Sequence, residues 1–301
     1  MTHTGSRVGD RRIAAPRLEM KYAGRYVTPM RIPTTLHLLH TGCFSLVLAL
    51  SACGDDDTPP PTTDAGTDLG AADAGPDDLG APLCEPTTVP CVDESIGLLD
   101  LFDVANPAAI TEEGTAAGEF TTLIDAAGGG MTPSLSFVYA RFTDTGLAKV
   151  DISDEAAFVS TDWDIALRRY VFRVNSGVGG PSCVQAARTE PSTTFDTLTA
   201  VPDPTTITYR TESYLTETCE IVPDGAGLGS PATALSSFWS YPGCVSMTGN
   251  VYVVALRGGR HVKLQVLGYY SPANQTSCDD TGMISLPSGA GSVRIRWAFL
   301  D

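Results

Sequence analysis

The sequence predicts a mainly β chain of antiparallel strands, with few short helices and a disordered N-terminal region, on three observations. Three runs between residues 251 and 299 place apolar side chains at every second position. Glycine and proline number 30 and 21 in 301 residues, enough to punctuate many short strands with turns. No helix-periodic run of ten or more residues stands out after residue 105.

The N-terminal segment is expected to be processed. Residues 1–42 are basic and irregular, and residues 43–50 form the one strongly apolar run, just ahead of Leu50-Ser51-Ala52-Cys53. A basic region, a short apolar stretch and small residues before a cysteine read as a bacterial lipoprotein signal, with cleavage before Cys53 and lipidation of its thiol. The run is about half the ~20 apolar residues a membrane-spanning helix needs. From Met1 the signal would run 52 residues, whereas a start at Met30 gives 23, so Met30 is the expected initiator and Met20 the second choice.

Processing sharpens the charge. The chain carries 19 Lys and Arg against 35 Asp and Glu, a net −16. Loss of residues 1–52 removes seven bases and two acids, leaving 12 against 33 and a net −21. Duplex nucleic acid is excluded as a partner, because such binding rests on a basic surface. His3, His37 and His40 leave with the signal, and His261 is the one histidine that stays.

Residues 53–83 are expected to be a lipid-anchored acidic tether. Three aspartates and a proline-threonine run precede Asp64, Asp68, Asp73 and Asp78, each two residues before a glycine. Almost nothing here is large enough to offset chain entropy by burial. A calcium-binding repeat is the sharper alternative, but the alternating acids of an EF-hand loop are missing.

Residues 84–301 are expected to form one β domain. Its six cysteines, Cys84, Cys91, Cys183, Cys219, Cys244 and Cys278, suit an exported chain with disulfides. No Cys-x-x-Cys pair is present, which disfavours a zinc ribbon or a dithiol redox site. Cys84 is expected to pair with Cys91 across a short loop, and the other four to staple loops between strands.

The expected elements follow in order. Residues 98–104 are the helix candidate before residue 105. Residues 134–142 and 146–152 read as strands joined through Thr143-Asp144-Thr145-Gly146. Ser153 followed by Asp154 and Glu155 marks one or two helical turns. Residues 163–174 read as one long central strand, apolar on both faces with its arginines paired or reaching solvent. Residues 251–256 and 262–266 form a hairpin about Gly258-Gly259, and residues 292–299 complete a meander with Val293, Ile295, Trp297 and Phe299 inward. The glycine-rich stretches at 177–180 and 225–229 lack a phosphate-loop lysine and read as loops.

Enzymatic chemistry finds little support. A Ser-His-Asp or Cys-His system would need His261 as its base, with the domain's cysteines oxidised. Acid pairs such as Asp162/Asp164 and Glu112/Glu113 are too common in so acidic a chain to mark a glycosidase. The expectation is a chain that is not an enzyme, without a protein-bound metal site.

Trp163-Asp164-Ile165-Ala166-Leu167-Arg168-Arg169-Tyr170, then Asn175-Ser176-Gly177, form one group of residues in this order. Asn250-Val251-Tyr252-Val253-Val254, Lys263-Leu264-Gln265-Val266 and the pair Tyr269-Tyr270 form the other. Over roughly residues 120–301 this order resembles the HmuY family of haem-binding lipoproteins, with Trp163, Asp164, Arg169, Tyr170, Asn175 and Gly177 as the matching motif. The resemblance implies a mostly antiparallel β fold and an envelope lipoprotein of the outer membrane or cell surface of a Gram-negative bacterium. Its partners would be the membrane, through the anchor, and haem or a haem-carrying protein.

Family members that bind haem tightly use two axial side chains, histidine or methionine, from the segment that here spans about residues 183–249. That segment contains no histidine. The candidates are Tyr241, in Phe238-Trp239-Ser240-Tyr241-Pro242-Gly243, and Met247, since tyrosine and methionine both ligate haem iron. Tyr241 also reads as an interface or core aromatic and Met247 as core filler. His261, beside Lys263 and Gln265 on a polar strand face, reads mainly as an exposed strand residue. The alternative function is a non-enzymatic surface or structural lipoprotein on the same scaffold that has lost haem binding.

Overall fold

The alternating runs at the C-terminal end build the centre of the molecule. Val251–Ala255 (β10), His261–Gly268 (β11) and Ser292–Leu300 (β12) are successive antiparallel neighbours, with Val254 opposite Val262 and Leu264 opposite Trp297. Gly259, at φ 85°, lies in the turn between the first two. This is the expected meander. The structure, a computed structural model, describes residues 84–116, 118–128 and 134–300. The expected signal region, Cys53 and the tether lie outside the described residues.

Twelve strands and three short helices make up the described chain. The helices are α1 (Val92–Leu98), α2 (Asp154–Ala157) and α3 (Pro272–Thr281). The other strands are β1 (Ile110–Ala116), β2 (Glu119–Asp125), β3 (Val138–Thr143), β4 (Gly146–Val150), β5 (Ile165–Arg168), β6 (Val171–Val174), β7 (Gln185–Arg188), β8 (Trp239–Ser240) and β9 (Ser246–Met247). A six-stranded sheet runs β1-β2-β12-β11-β10-β7, a four-stranded sheet runs β4-β3-β5-β6, and β8 pairs with β9. Every pairing is antiparallel. The mainly β, antiparallel prediction holds.

Alternation decides which face each residue buries. Tyr252, Val254, Val262, Leu264, Ile295 and Trp297 of the large sheet meet Val138, Ile165, Leu167 and Phe172 of the small one in the main core. Trp297 stacks on Phe120 at 4.2 Å, meets Phe142 edge-on at 4.9 Å, and donates its indole N–H to Thr122 Oγ1 at 2.8 Å. The opposite face of the small sheet carries a second core, where Phe137, Tyr139, Trp163 and Ala166 join Leu99 and Leu101 from the N-terminal stretch. A third cluster, including Phe195 and Leu198, covers Val251, Val253 and Leu300 on the back of the large sheet. Glu112 links β1 and β4, the outer strands of the two sheets, accepting from Leu147 N–H at 2.6 Å and from Thr122 Oγ1 at 2.8 Å. Among the described residues no helix is long and apolar enough to cross a membrane.

Several expectations are corrected. Residues 163–174 form a hairpin, β5 and β6, rather than one strand, with Leu167 opposite Phe172 and Arg168 opposite Val171. Arg169 takes φ 55° at its tip, a left-handed conformation unusual for arginine, and its N–H donates to Ala126 O at 2.6 Å. The reading of both faces as apolar is correct, since the hairpin separates two cores. The N-terminal helix is residues 92–98, not 98–104; beyond Leu98 the chain turns and runs irregularly, with Phe102 N–H on Asp154 Oδ2 at 3.1 Å. A ten-residue helix, α3, does follow residue 105, with Pro272 in its first turn and Gly282 at φ 72° closing it. The Cys84–Cys91 pairing is also wrong. Cys84 joins Cys183, Cys91 joins Cys219 and Cys244 joins Cys278. Cys91 opens α1 in a left-handed conformation and leads into a helix that packs on the second core, which carries its sulfur toward the 219 loop.

Candidate functional site

Four of the six motif residues are internal scaffold. Trp163 is fully buried and donates its indole N–H to Ala157 O at 3.1 Å. Asp164 accepts from Phe142 N–H at 2.9 Å, and burial pushes its carboxyl up to about 6. Asn175, also fully buried, donates to Trp163 O at 2.8 Å and Ser160 O at 3.0 Å while accepting from Ser182 N–H at 3.1 Å. Gly177 has φ 55°, and a side chain there would sit 2.1 Å from Glu212 O. All four are turned into the protein.

The other two, Arg169 and Tyr170, sit at the hairpin tip and lead to a cluster of aromatic rings. The Arg169 guanidinium lies 5.7 Å from the Tyr170 ring centre. Tyr170 in turn lies 5.1 Å from Trp239 and 6.1 Å from Tyr269, and Tyr269 meets Tyr270 edge-on at 4.8 Å. Gln275 of α3 positions the pair, its Oε1 accepting from Tyr269 N–H at 2.8 Å and Tyr270 N–H at 3.2 Å. Tyr270 Oη accepts from Val245 N–H at 3.1 Å. The Tyr269 hydroxyl is buried and has no hydrogen-bond partner in the protein. Burial pushes this phenol up to about 12 against the pull of Arg169, and a charge on Tyr241 acts on it as well.

The three ligand candidates are not brought together. Tyr241 follows β8, is 47% exposed, and stands close enough to Tyr269 and Tyr270 to influence their ionisation. Met247 lies on the same hairpin, opposite Trp239, partly buried against the main core, with its N–H on Asp279 Oδ1 at 2.8 Å. His261 is at the far end of β11, eight residues from Tyr269, or roughly 26 Å at the usual strand rise. Its ring neighbours Tyr209 at 6.0 Å, and burial lowers its pKa.

Two other features do not compete. Cys91, Glu94 and Cys219 approach one another as metal ligands would, but the two sulfurs are joined as a disulfide. A groove of about 280 Å³ between β11 and α3 is lined by Leu267, Pro272, Gln275, Asp279 and Arg294. Its Gln275 is satisfied within the protein, and its Arg294 pairs with Glu113 at 2.8 Å. The sequence reading missed the Tyr269 hydroxyl, whose state depends on packing, and the buried charges Asp154, Arg173 and Glu212. Asp154 read as a first-turn acid, yet it accepts from Phe137 N–H and Tyr139 Oη, both at 2.8 Å.

Residues 134–281 match the family model described as HmuY protein. No curated protein matches the chain. Among solved structures, a Bacteroides vulgatus protein described as HmuY-like and haem-binding is 17% identical, covering 63% of this chain and 96% of its own, with a TM-score of 0.39. A Bacteroides fragilis protein described as a lipoprotein is 13% identical over 62% of this chain and 94% of its own, TM-score 0.38. The apo HmuY analogue of Tannerella forsythia is 15% identical over 66% of this chain and 100% of its own, TM-score 0.34. The similarity to the HmuY family thus spans residues 134–281 of the 301-residue chain.

Proposed function

We propose that the chain is a non-enzymatic, haem-binding envelope lipoprotein, anchored through Cys53, and that haem is held at the tyrosine cluster. The Tyr269 hydroxyl carries this reading. A buried polar group without a partner costs about 1–3 kcal/mol and calls for a functional explanation. The donor set suits the group: a phenolic oxygen ligates ferric haem iron, and the rings of Tyr170, Trp239 and Tyr270 surround it with apolar carbon. Tyr241 stands at the exposed edge of the same group and is the second candidate ligand. Titration of residues 84–301 with haemin should give a Soret shift at one equivalent, weakened at least tenfold by Tyr269→Phe or Tyr241→Phe. The absence of any shift rejects the proposal.

A second reading, a surface lipoprotein that keeps the scaffold without haem, is favoured by two observations. Trp163, Asp164, Asn175 and Gly177 are all internal, and no histidine occurs between residues 183 and 249. A haem complex whose spectrum responds to Tyr269→Phe, Tyr241→Phe or Met247→Ala excludes it.

A further inference from the structure

The Cys91–Cys219 disulfide has a third potential donor beside it. Both sulfurs and a carboxylate oxygen of Glu94 lie within 4.8 Å of one another, with Cys91 and Glu94 three residues apart at the start of α1. The two cysteines are half-buried and Glu94 is exposed, so the group is open to solvent. Cys244 and Cys278, in contrast, are fully buried. Cys84 and Cys183 are as accessible as Cys91 and Cys219, but among the described residues no third ligand joins them.

The backbone at both ends is fixed without help from the sulfur bond. Cys91 O accepts from Ser95 N–H at 2.9 Å, and Val92 and Ile96 of α1 pack on the second core. Cys219 sits in a tight loop, where its N–H donates to Thr216 O and Thr216 N–H donates to Glu220 O, both at 2.9 Å. Leu215 pairs with Ile221 at the base of that loop, and both touch the same core. The two Cα atoms are 5.6 Å apart. Side-chain rotation alone can therefore part the sulfurs to roughly 3.8 Å, their separation across a tetrahedral zinc ion. Charge also suits a cation, since residues 84–100 and 211–229 contain no Lys or Arg. The Glu94 carboxylate has no hydrogen bond or ion pair with any described residue.

We propose that this disulfide is the oxidised form of a zinc site, whose reduced form offers Cys91, Cys219 and Glu94 as ligands and leaves the fourth position to water. A dithiol supplies two electrons and two protons, becoming a disulfide itself while Cys91 and Cys219 become thiols. Zinc then displaces both thiol protons and takes the Glu94 carboxylate, so a metal clamp replaces the sulfur bond between α1 and the 216–220 loop. Two thiolates exclude magnesium and calcium, which prefer oxygen donors. The sequence hides the group because 128 positions separate its two cysteines. None of its residues belongs to the tyrosine cluster, and it stands whether or not haem binds.

Alkylation tests the site after the chain has been treated with dithiothreitol and freed of it without oxygen. Iodoacetamide should then label Cys91 and Cys219. One equivalent of zinc should slow that labelling roughly tenfold and leave Cys84 and Cys183 as reactive as before, read by peptide mass mapping. Cadmium in place of zinc should give an ultraviolet thiolate-to-metal band that the oxidised chain lacks and Cys219→Ser diminishes. Glu94→Gln alters an exposed side chain, so the fold should survive while zinc affinity drops roughly tenfold in competition with a chromogenic chelator. Four outcomes overturn the proposal: a Cys91–Cys219 bond that survives the dithiol, a reduced chain that loses its near-ultraviolet circular dichroism, equal protection of Cys84 and Cys183, or undiminished zinc affinity in Glu94→Gln.

Discussion

Asn175 does from one fully buried side chain what three separate contacts would otherwise do, joining Trp163, Ser160 and Ser182 through both ends of its amide. Truncation to alanine leaves two carbonyls and one N–H without those partners, and we expect a loss of about 3 kcal/mol by urea unfolding. Asn175→Asp should be worse at neutral pH, because a carboxylate oxygen would then face the two carbonyl oxygens. Tyr269→Phe makes the opposite prediction: its hydroxyl bonds to nothing in the protein, so stability should be unchanged or rise by up to about 1 kcal/mol, even as the proposed haem binding weakens. A fall beyond 1 kcal/mol would mean that the hydroxyl supports the fold. The sequence marks the importance of these positions without their roles. Trp163, Asp164 and Asn175 stand out by their order along the chain, but only burial shows that they face inward, and the unpartnered state of Tyr269 arises between elements distant in sequence.

Among the elements, legibility follows periodicity. β10, β11 and β12 are readable because one face of each alternates cleanly into the main core. The β5–β6 hairpin is not, because its tip, Arg169-Tyr170, has none of the usual turn residues and is fixed instead by the bond to Ala126. α3 escapes for a related reason. It has little apolar face, and its proline start and glycine stop are the only local signals. What holds it is tertiary: Gln275 on the tyrosine pair and Val245, and Cys278 on Cys244. That disulfide closes a 34-residue separation and ties α3 to the β8–β9 hairpin. Replacing both cysteines by serine should cost about 3 kcal/mol. Because Gln275 orients Tyr269 and Tyr270, the same double variant should weaken the proposed haem binding, and intact affinity would show that the cluster holds its geometry without α3.

For the whole molecule, pH tests the balance between burial and charge. Asp164 and Glu212 are both raised by burial, to about 6 and about 7 from 3.8 and 4.5. A carboxyl that holds its proton more tightly in the folded state contributes stability that is fully present below its unfolded pKa and lost as pH rises through the folded one. The window therefore opens near pH 4 and closes just above pH 7. Glu113 works in the other direction, since its bond to Arg294 lowers its pKa, but it is exposed enough for solvent to screen the effect. Self-repulsion in a chain of net charge −16 adds to the loss as acids ionise. The chain should thus be most stable on the acid side of neutrality, declining by on the order of 5 kcal/mol between pH 4 and pH 8. Asp164→Asn retains an oxygen for the Phe142 N–H, so joined with Glu212→Gln it should flatten the decline without abolishing the fold. Urea unfolding of both proteins across that range decides the matter: a wild type whose stability rises toward pH 8 would show that the two buried acids are charged in the folded state and stabilised there.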